Sequence, residues 1–356
     1  MVFGAREAAW PLIRDDLSLS YTQIGLLLSV PNLVSLVVEP GLGVASVTWR
    51  RRVLVLGGGL CFALALGLAA GAPSFWILLL AFSLLYPASG AFVSLSQAAL
   101  MDLEPERRED NMARWTFAGG VGVVLGPLAL AGFVLVGLGW RELFVSFAVT
   151  ALALVALLRR SPQSADADER PRLREALRAI RRREVFRWLF LLELSDLLGD
   201  VLLGFLALYF VDAVGSSRAT GGLAVAIWSG AGLIGAGTMI PLLRRVDGLR
   251  YLRASAALTA VLFAGFLLAP GIEAKLGLVA AIAVVNAGWY SVLQARLYGA
   301  LDGKSGLVLT AGALLPLNAV LPLAIAASAD RWGLEVALWP LLAAPVALIV
   351  LVPRRS

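Results

Sequence analysis

The sequence predicts an all-α protein that spans a membrane many times as two six-helix bundles, related by a pseudo-two-fold axis along the membrane normal. Of the 356 residues, 60% are hydrophobic and only 15% are charged, whereas a soluble domain is about 25% charged. Apolar runs recur from end to end, each near the ~20 residues that a helix needs to cross the hydrocarbon core. Short phrases in the first half return in the second at a nearly constant shift.

The apolar runs are predicted to be helices because helices satisfy every backbone polar group inside lipid. The first run is shorter than the others, and the alignment of the two halves predicts that about half a helix is missing before Met1. The twelve predicted spans are 1–13, 22–46, 53–71, 75–100, 113–137, 141–158, 187–211, 219–243, 253–269, 275–299, 305–328 and 333–352.

Positive residues gather in alternate connections between these spans. That set holds 23 of the 30 lysines and arginines, including the segment 159–187, and positive residues mark the cytoplasmic side. The sequence therefore predicts a protein of the plasma (inner) membrane with both termini in the cytoplasm. The opposite connections are predicted to be short and nearly uncharged. The net charge of +6 is therefore explained by the orientation of the chain in the membrane, and nucleic acid is not an expected partner.

The repeated phrases indicate an internal duplication. "SLSQAALM" (94–101) and "SVLQARLY" (291–298) match at a shift of 197, and "GPLALA" (126–131) and "LPLAIA" (321–326) match at 195. We therefore expect an N-terminal bundle over 1–158, a basic cytoplasmic linker with an amphipathic helix over 159–186, and a C-terminal bundle over 187–356. Parallel repeats of this kind are typical of transporters with a mid-membrane site between the halves.

The composition also limits the chemistry. Histidine is absent and Cys61 is the single cysteine, which excludes an internal disulfide and a cysteine cluster for a metal. No glycine-rich phosphate loop follows a strand, so nucleotide-driven pumping is unsupported. We expect no enzyme, no catalytic residue, no metal and no cofactor.

Three motifs resemble the major facilitator superfamily. "EPGLGVASVTWRRRVLVLGG" (39–58) is similar to the loop between helices two and three of that family, although Val47 and Thr48 stand where an acid and an arginine are expected. "GWRELF" (139–144) is similar to the start of its helix six. "GVVLGP" (122–127), with Gly122, Gly126 and Pro127, resembles a helix-five motif found mainly in exporters.

The resemblance implies further expectations. Helices one, four, seven and ten would line a central cavity, and the chain would act as a monomer in the bilayer. A cytoplasmic latch would change partners during transport, although a solvated run of charges is an alternative. Its residues would be Gly43, Arg50, Arg51, Arg52, Asp102 and Arg114.

Ionisable residues within the predicted spans are the first candidates for a site, because they are costly in lipid and usually face a cavity or a partner. Glu193, Asp196 and Asp200 recur at i, i+3 and i+7, which predicts one face of helix seven. Asp196 and Asp200 are candidates for binding a proton or a cation, or for structural ion pairs. Arg6 and Glu7 occupy the equivalent depth in helix one, where Arg6 would neutralise an acid of helix seven, bind a substrate anion, or form a structural salt bridge.

Helices four and ten carry the remaining polar candidates. Tyr86 and Gln97 lie in helix four, and Asn286, Tyr290 and Gln294 recur every four residues in helix ten. They are candidates for binding substrate, although hydrogen bonding between helices is the alternative. Aromatic residues are also expected near the cavity, namely Trp10, Tyr86, Trp228, Trp289 and Tyr290.

Glycines cluster on helices five and eight and are expected to permit close contact between helices rather than to bind a ligand. They are Gly119, Gly120, Gly122 and Gly126, and Gly230, Gly232, Gly235 and Gly237.

Taken together, these patterns favour a secondary active transporter of a small molecule, with proton-coupled export as the leading hypothesis. Uptake or facilitated diffusion of a metabolite is an alternative, and a transport-inactive relative with a regulatory role is another. The acids favour a cationic or amphipathic substrate, whereas Arg6 favours an anion equally.

Overall fold

A computed structural model describes residues 1–48, 51–94, 96, 108–160, 182–243, 245–300 and 317–353, and within these ranges the chain is helical and contains no strand. The helices are α1 Val2–Leu17, α2 Tyr21–Thr48, α3 Arg51–Ala70, α4 Phe75–Ser89 with a π-helical turn Gly90–Ser94, α5 Arg108–Leu135, α6 Trp140–Leu158, α7 Arg183–Asp196 continuing through Leu197–Val201, Leu202–Leu208 and Tyr209–Ala213, α8 Arg218–Leu243, α9 Gly248–Leu268, α10 Ile272–Asn286 and Trp289–Ala300, α11 Leu317–Ala337, and α12 Trp339–Leu342 and Ala343–Leu351.

Most predicted spans agree with these helices to within a few residues. Among the described residues, nine helices are long and apolar enough to cross a membrane, and the bent pair Val320–Ala337 and Trp339–Leu351 makes a tenth if it counts as one span. The first helix is short, as predicted, with 16 residues. Most of the linker, 161–181, lies outside the described residues.

The prediction of one helix over 333–352 is wrong in its details. Gly333 has a φ of 77° inside the range of α11, which is a left-handed conformation that favours glycine. The chain then makes a short 3₁₀ turn over Trp339–Leu342 and continues as an α-helix over Ala343–Leu351. The segments Val320–Ala337 and Trp339–Leu351 differ in direction by 64°. Pro340 lies at the start of that turn, where its missing N–H costs little.

The contacts between helices repeat when six is added to the helix number. α3 packs on α4 and α6, and α9 packs on α10 and α12; likewise α2 packs on α4, and α8 packs on α10. Contacts between the halves follow the same rule, because α2 packs on α11 and α8 packs on α5. The duplicated two-bundle arrangement predicted from the repeated phrases is therefore confirmed.

Glycines allow the backbones of α1 and α5 to pack in direct contact. A Cβ at Gly126 would lie 2.4 Å from the Met1 carbonyl oxygen and 2.5 Å from the Ala5 nitrogen, and a Cβ at Gly4 would lie 2.3 Å from the carbonyl oxygen of Val123. The expected contact role also holds for Gly120, Gly122 and Gly235. It is wrong for four others, where a Cβ would meet no described atom within 4 Å: Gly119, Gly230, Gly232 and Gly237.

Candidate functional site

Two adjacent charges of α1 form a buried cluster with α4. Arg6 donates one hydrogen bond to the carboxylate of Glu7 and another to the hydroxyl of Tyr86. Trp10, one turn further along α1, donates its indole N–H to the second oxygen of Glu7 at 2.7 Å. The side chains of Arg6 and Glu7 are only 6% and 8% exposed, so the pair is an internally neutralised charge.

Aromatic rings surround the guanidinium of Arg6. Its Cζ lies 5.3 Å from the ring centroids of both Phe3 and Tyr86, 5.8 Å from that of Trp10 and 5.9 Å from that of Phe82. A cation over an aromatic face gains electrostatic stabilisation that grows as water is removed. The rings therefore help to compensate the cost of burying the charge.

Of the partners considered for Arg6, this structure shows a salt bridge to the neighbouring carboxylate, Glu7. Within the described ranges, its hydrogen bonds go to Glu7 and Tyr86, and none reaches Asp196 or Asp200. The expected neutralisation of an acid across the cavity is therefore absent here. Residues at i and i+1 do not share a helix face, and sequence spacing gives no reason to pair them. The long arginine side chain turns back to its neighbour because a buried carboxylate needs a partner.

Glu7 also marks where the two halves meet. A Cβ added to Gly204 of α7 would lie 3.7 Å from a carboxylate oxygen of Glu7 and 3.2 Å from Leu28 of α2. At the repeat shift of 197, residue 204 is the counterpart of residue 7. A residue that touches its own counterpart lies next to the axis relating the copies, so this cluster lies near the pseudo-two-fold axis.

The three acids of α7 differ in exposure. Glu193 is buried at 9% exposure, Asp196 is half-buried and Asp200 is exposed. Asp196 interacts electrostatically with both of the other acids, and Asp200 interacts with Glu7 and Arg6. Asp200 thus lies close to the α1 cluster of the opposite half while remaining accessible to solvent.

The helices that carry these candidates are irregular at related positions. A π-helical turn, Leu197–Val201, follows Asp196 and contains Asp200 in α7, and another, Gly90–Ser94, follows Tyr86 in α4. The turn in α4 corresponds, at a shift of 197, to the interruption of α10 at Ala287 and Gly288. Such turns are frequent at functional sites, and discontinuous helices form the mid-membrane sites of transporters.

The three polar candidates of α10 lie on either side of an interruption in the helix. Asn286 ends the first segment and is half-buried, Tyr290 is 53% exposed, and Gln294 is half-buried. The Oε1 atom of Gln294 has no hydrogen-bond partner among the described residues. The break places Asn286 and Tyr290 on separate helical segments.

Two of the expected cavity aromatics point into the protein instead. Trp10 is fully buried against Glu7 and Phe82. Trp289 is 2% exposed and donates to the hydroxyl of Ser255 in α9 at 2.8 Å. An indole N–H needs a partner when buried, and each of these tryptophans finds one within its own bundle.

Tyr251 of α9 forms hydrogen bonds on both sides of the break in α10, a role that sequence reasoning did not predict. Its hydroxyl donates to the Val285 carbonyl at 2.7 Å and accepts from the Gly288 N–H at 3.2 Å. A Cβ at Gly288 would lie 2.7 Å from the Tyr251 ring. The tyrosine thus replaces the helical hydrogen bonds that the break removes.

Several candidates cannot be placed. Gln97, Arg50 and Asp102 lie outside the described residues. Gly43, Arg51 and Arg114 lie in described helices, but the side chains of the two arginines and the surroundings of the glycine are outside the description. Of the predicted latch, Arg52 is described, and it donates to the carbonyl of Arg159 at the end of α6 in its own bundle. A cation at a helix C-terminus is electrostatically favourable.

The end of the bundle opposite the arginine-rich connections, here called the outer end, is rich in ion pairs. The prediction that its connections are nearly uncharged is wrong, because 14–21, 212–218 and 329–332 contain both acids and arginines. Arg14 and Tyr21 bind Asp212, and Arg218 binds Asp15. These charges are visible in the sequence, but a count of lysines and arginines does not consider the acids beside them.

Lys275 is a second residue that the sequence analysis missed. Its ammonium, 7% exposed at the outer end of α10, donates to the Phe266 and Leu267 carbonyls at 2.6 and 3.2 Å and to the Tyr209 hydroxyl at 2.8 Å. These carbonyls belong to the last turn of α9, where unpaired acceptors and the helix dipole favour a cation. Lys275 therefore ties α9 and α10 to α7.

A duplicated helical bundle with irregular helices and buried charges at its centre defines a membrane transporter. The sequence model of the Major Facilitator Superfamily matches residues 3–302. The chain belongs to that superfamily, whose members are carriers rather than enzymes. A sequence comparison with the curated proteins finds no match.

Solved structures of transporters share this fold. A bacterial homologue of the human lysosomal transporter Spinster, in an inward-facing and unoccupied conformation, has a TM-score of 0.72 at 15% identity, over 98% of this chain and 92% of that one. The same homologue in its occupied form gives 0.73 with the same identity and coverage. A mutant of the nucleoside transporter NupG gives 0.77 at 13% identity, again over 98% and 92%.

Proposed function

We propose that this protein is a proton-coupled exporter of a small cationic or amphipathic molecule, working as a monomer by alternating access. Residues 1–158 and 187–356 are the two halves that rock about the central site. The arginine-rich connections face the cytoplasm of a cell whose plasma membrane holds the protein, with both termini inside. The helix-five motif at Gly122, Gly126 and Pro127 supports export through its similarity to exporters.

The observation that carries the proposal is the position of Asp200. This carboxylate is solvent-accessible in a membrane-spanning helix, beside a π-helical turn and near the charges of the opposite half. An accessible acid at the meeting of two rocking bundles can take up a proton from one side and release it to the other. Asp196, half-buried four residues earlier, is the second candidate in the pathway.

The charge balance of the site supports a cationic substrate. Arg6 is 5% exposed and is engaged by Glu7 and Tyr86, so an anion would have to displace a buried salt bridge to reach it. Asp196 and Asp200 are more accessible than Arg6, Glu7 and Glu193, which are buried. A cation and a proton would compete for these carboxylates, which provides coupling between export and proton uptake.

The proposal can be tested in inside-out vesicles with an imposed pH gradient. A panel of amphipathic amines and matched organic anions is added while a pH-sensitive dye reports proton movement. Movement of amines coupled to proton flux is expected, and Asp200→Asn should abolish the coupling. Glu273→Gln, which removes an exposed acid at the outer end of α10, is the matched control and should transport normally.

Other outcomes identify the alternatives. Flux that ignores the pH gradient and persists in Asp200→Asn would indicate facilitated diffusion. Movement of the anions alone would contradict the assignment of a cationic substrate. A chain that transports none of the panel would be better described as a transport-inactive relative.

A further inference from the structure

The outer end joins the two halves through a pair of matching contacts. The carboxylate of Asp15 in α1 accepts from Arg218 at the start of α8. The carboxylate of Asp212, in the last turn of α7, accepts from the Tyr21 hydroxyl at 2.8 Å and from Arg14. Both contacts connect an acid at the end of one helix to the first residue of the following helix in the other half.

These two contacts are the same contact made twice. At the repeat shift of 197, Asp15 corresponds to Asp212 and Tyr21 corresponds to Arg218. The pair Asp15–Arg218 therefore maps onto the pair Asp212–Tyr21 when the halves are exchanged. A surface that binds its own copy in this reciprocal way is the signature of contact across a two-fold axis. The outer ends of the halves thus meet on the axis that also passes near Glu7 and Gly204.

A third contact breaks this symmetry. The two carboxylate oxygens of Asp330, at the outer end of α11, accept from the backbone N–H groups of Tyr21 and Thr22 at 2.9 and 2.7 Å. The first N–H groups of a helix have no partner within the helix, and an acid there is favourable. Both α2 and α8 also have a cap within their own half, because the Ser20 hydroxyl accepts from the Gln23 N–H and the Ser217 hydroxyl accepts from the Thr220 N–H, each at 3.1 Å. Asp330 is therefore an additional cap that α2 receives from the other half, and its counterpart at the repeat shift is Phe133, which has no carboxylate.

We propose that Asp15–Arg218, Asp212 with Arg14 and Tyr21, and Asp330 at the start of α2 together form the gate that closes the outer end of the substrate pathway. All three contacts join the N-terminal half to the C-terminal half, so rocking apart of the outer ends must break them as a unit. The inference rests on the proposed function, because it assumes alternating access. Asp330 adds to the start of α2 a cap that comes from the other half, and opening would leave the N–H groups of Tyr21 and Thr22 to water.

The gate is built from contacts weak enough to open. The paired side chains are 27% and 26% exposed for Arg14 and Asp212, and 57% and 52% exposed for Arg218 and Asp15. Solvent screens such pairs, and removal of one changes an equilibrium by only about 1.5- to 5-fold. A closed state held by several such contacts is favoured and remains reversible.

Distances between spin labels on the two halves test the gate without any substrate. In a Cys61→Ala background, labels at Leu138→Cys and Ala219→Cys report the separation of the outer ends. Both positions are exposed and lie in different halves. We expect Asp212→Asn and Asp330→Ala each to raise the ratio of long to short distances by about 1.5- to 5-fold. Arg218→Asp should raise it further, because it places two acids together.

Two further variants make the test specific. Exchange of the charges, Asp15→Arg with Arg218→Asp, should restore the wild-type distance distribution. The control is Asp16→Asn, which breaks the bond to Arg141 at 2.8 Å. That ion pair also lies at the outer end but stays within the N-terminal half, so its loss should leave the distances unchanged.

The proposal is overturned if Arg218→Asp and Asp330→Ala leave the distribution as in wild type, or if Asp16→Asn shifts it equally. The gated side chains lie at the surface of the outer end, and an elution profile matching wild type verifies that each variant is folded. The distances report opening alone. Gate variants that shift them in a protein that transports nothing would support the gate and contradict the proposed function.

Discussion

The two halves treat charge at the centre of the molecule in opposite ways. In the N-terminal half, Arg6 and Glu7 are buried and pair with each other, and Tyr86 and Trp10 add hydrogen bonds to the pair. In the C-terminal half, Asp196 and Asp200 at similar depth are accessible, and the structure places no arginine or lysine within 4 Å of either among the described residues. The two halves thus share one scaffold but differ in whether the charges near their contact are buried and paired or accessible.

The halves also differ in how their fourth helix bends. In α4 the irregularity is a π-helical turn, and the helix remains continuous. In α10 the helix is interrupted at the corresponding place, and the Tyr251 hydroxyl forms hydrogen bonds to the backbone on both sides of the interruption. The counterpart of Tyr251 in the first half is Leu54, which has no hydroxyl to offer. The tyrosine that bridges the break in α10 therefore has no equivalent beside α4.

The largest expected effect tests the buried pair. Glu7→Gln leaves the guanidinium of Arg6 without its counter-charge in a buried site, which should cost about 3–5 kcal/mol of stability. Thermal unfolding in detergent, followed by tryptophan fluorescence, measures the loss. The matched change in the other half, Asp200→Asn, should alter stability by less than about 0.5 kcal/mol, because the acid is accessible.

The double variant Arg6→Met with Glu7→Gln sharpens this comparison. It removes both charges, and it should recover most of the stability that Glu7→Gln loses, because an uncharged pair leaves no buried ion. A double variant as unstable as the single one would contradict the account of the cluster as an internally neutralised pair.

The next largest effect concerns the packing of α1 against α5. Gly126→Ala places a methyl group within 2.5 Å of backbone atoms of Met1 and Ala5, so α1 must move away from α5. Overpacking of this kind costs about 1–3 kcal/mol. Gly132→Ala lies in the same helix where a Cβ would meet no described atom within 4 Å, and it should be neutral or slightly stabilising. Equal unfolding temperatures for the two variants would argue against close α1–α5 packing.

The smallest effect concerns the break in α10. Tyr251→Phe keeps the ring but leaves the Val285 carbonyl and the Gly288 N–H without their bridge, at a cost of about 0.5–1.5 kcal/mol. Hydrogen exchange at Gly288, followed by mass spectrometry, should speed up accordingly. Ser328→Ala serves as control, since that hydroxyl only returns to a carbonyl of its own helix at 2.8 Å.

The sequence predicted the architecture because hydrophobic length and positive charge are local properties of the chain. The spans, the duplication and the family resemblance all followed from runs of residues and fixed shifts between them. The same reasoning placed Arg6 and Glu7 in helix one, Tyr86 in helix four, and Asp196 and Asp200 in helix seven, where the structure also has them. It failed where the helices are irregular, as at Gly288 and Gly333, because a break depends on what a neighbouring helix offers.

The partners of charged residues were decided by tertiary structure alone. Sequence spacing suggested Arg6 with an acid of α7, yet burial of an adjacent carboxylate made Glu7 the partner. Asp15, Asp212 and Asp330 looked like unremarkable loop residues until the packing of α2 and α8 against the opposite half brought them to arginines and to a helix end. Hydrophobicity acts along the chain and determines where each helix lies in the membrane. Ion pairs act over a few ångströms between segments that are distant in the chain, so the packing of the helices determines which residues pair.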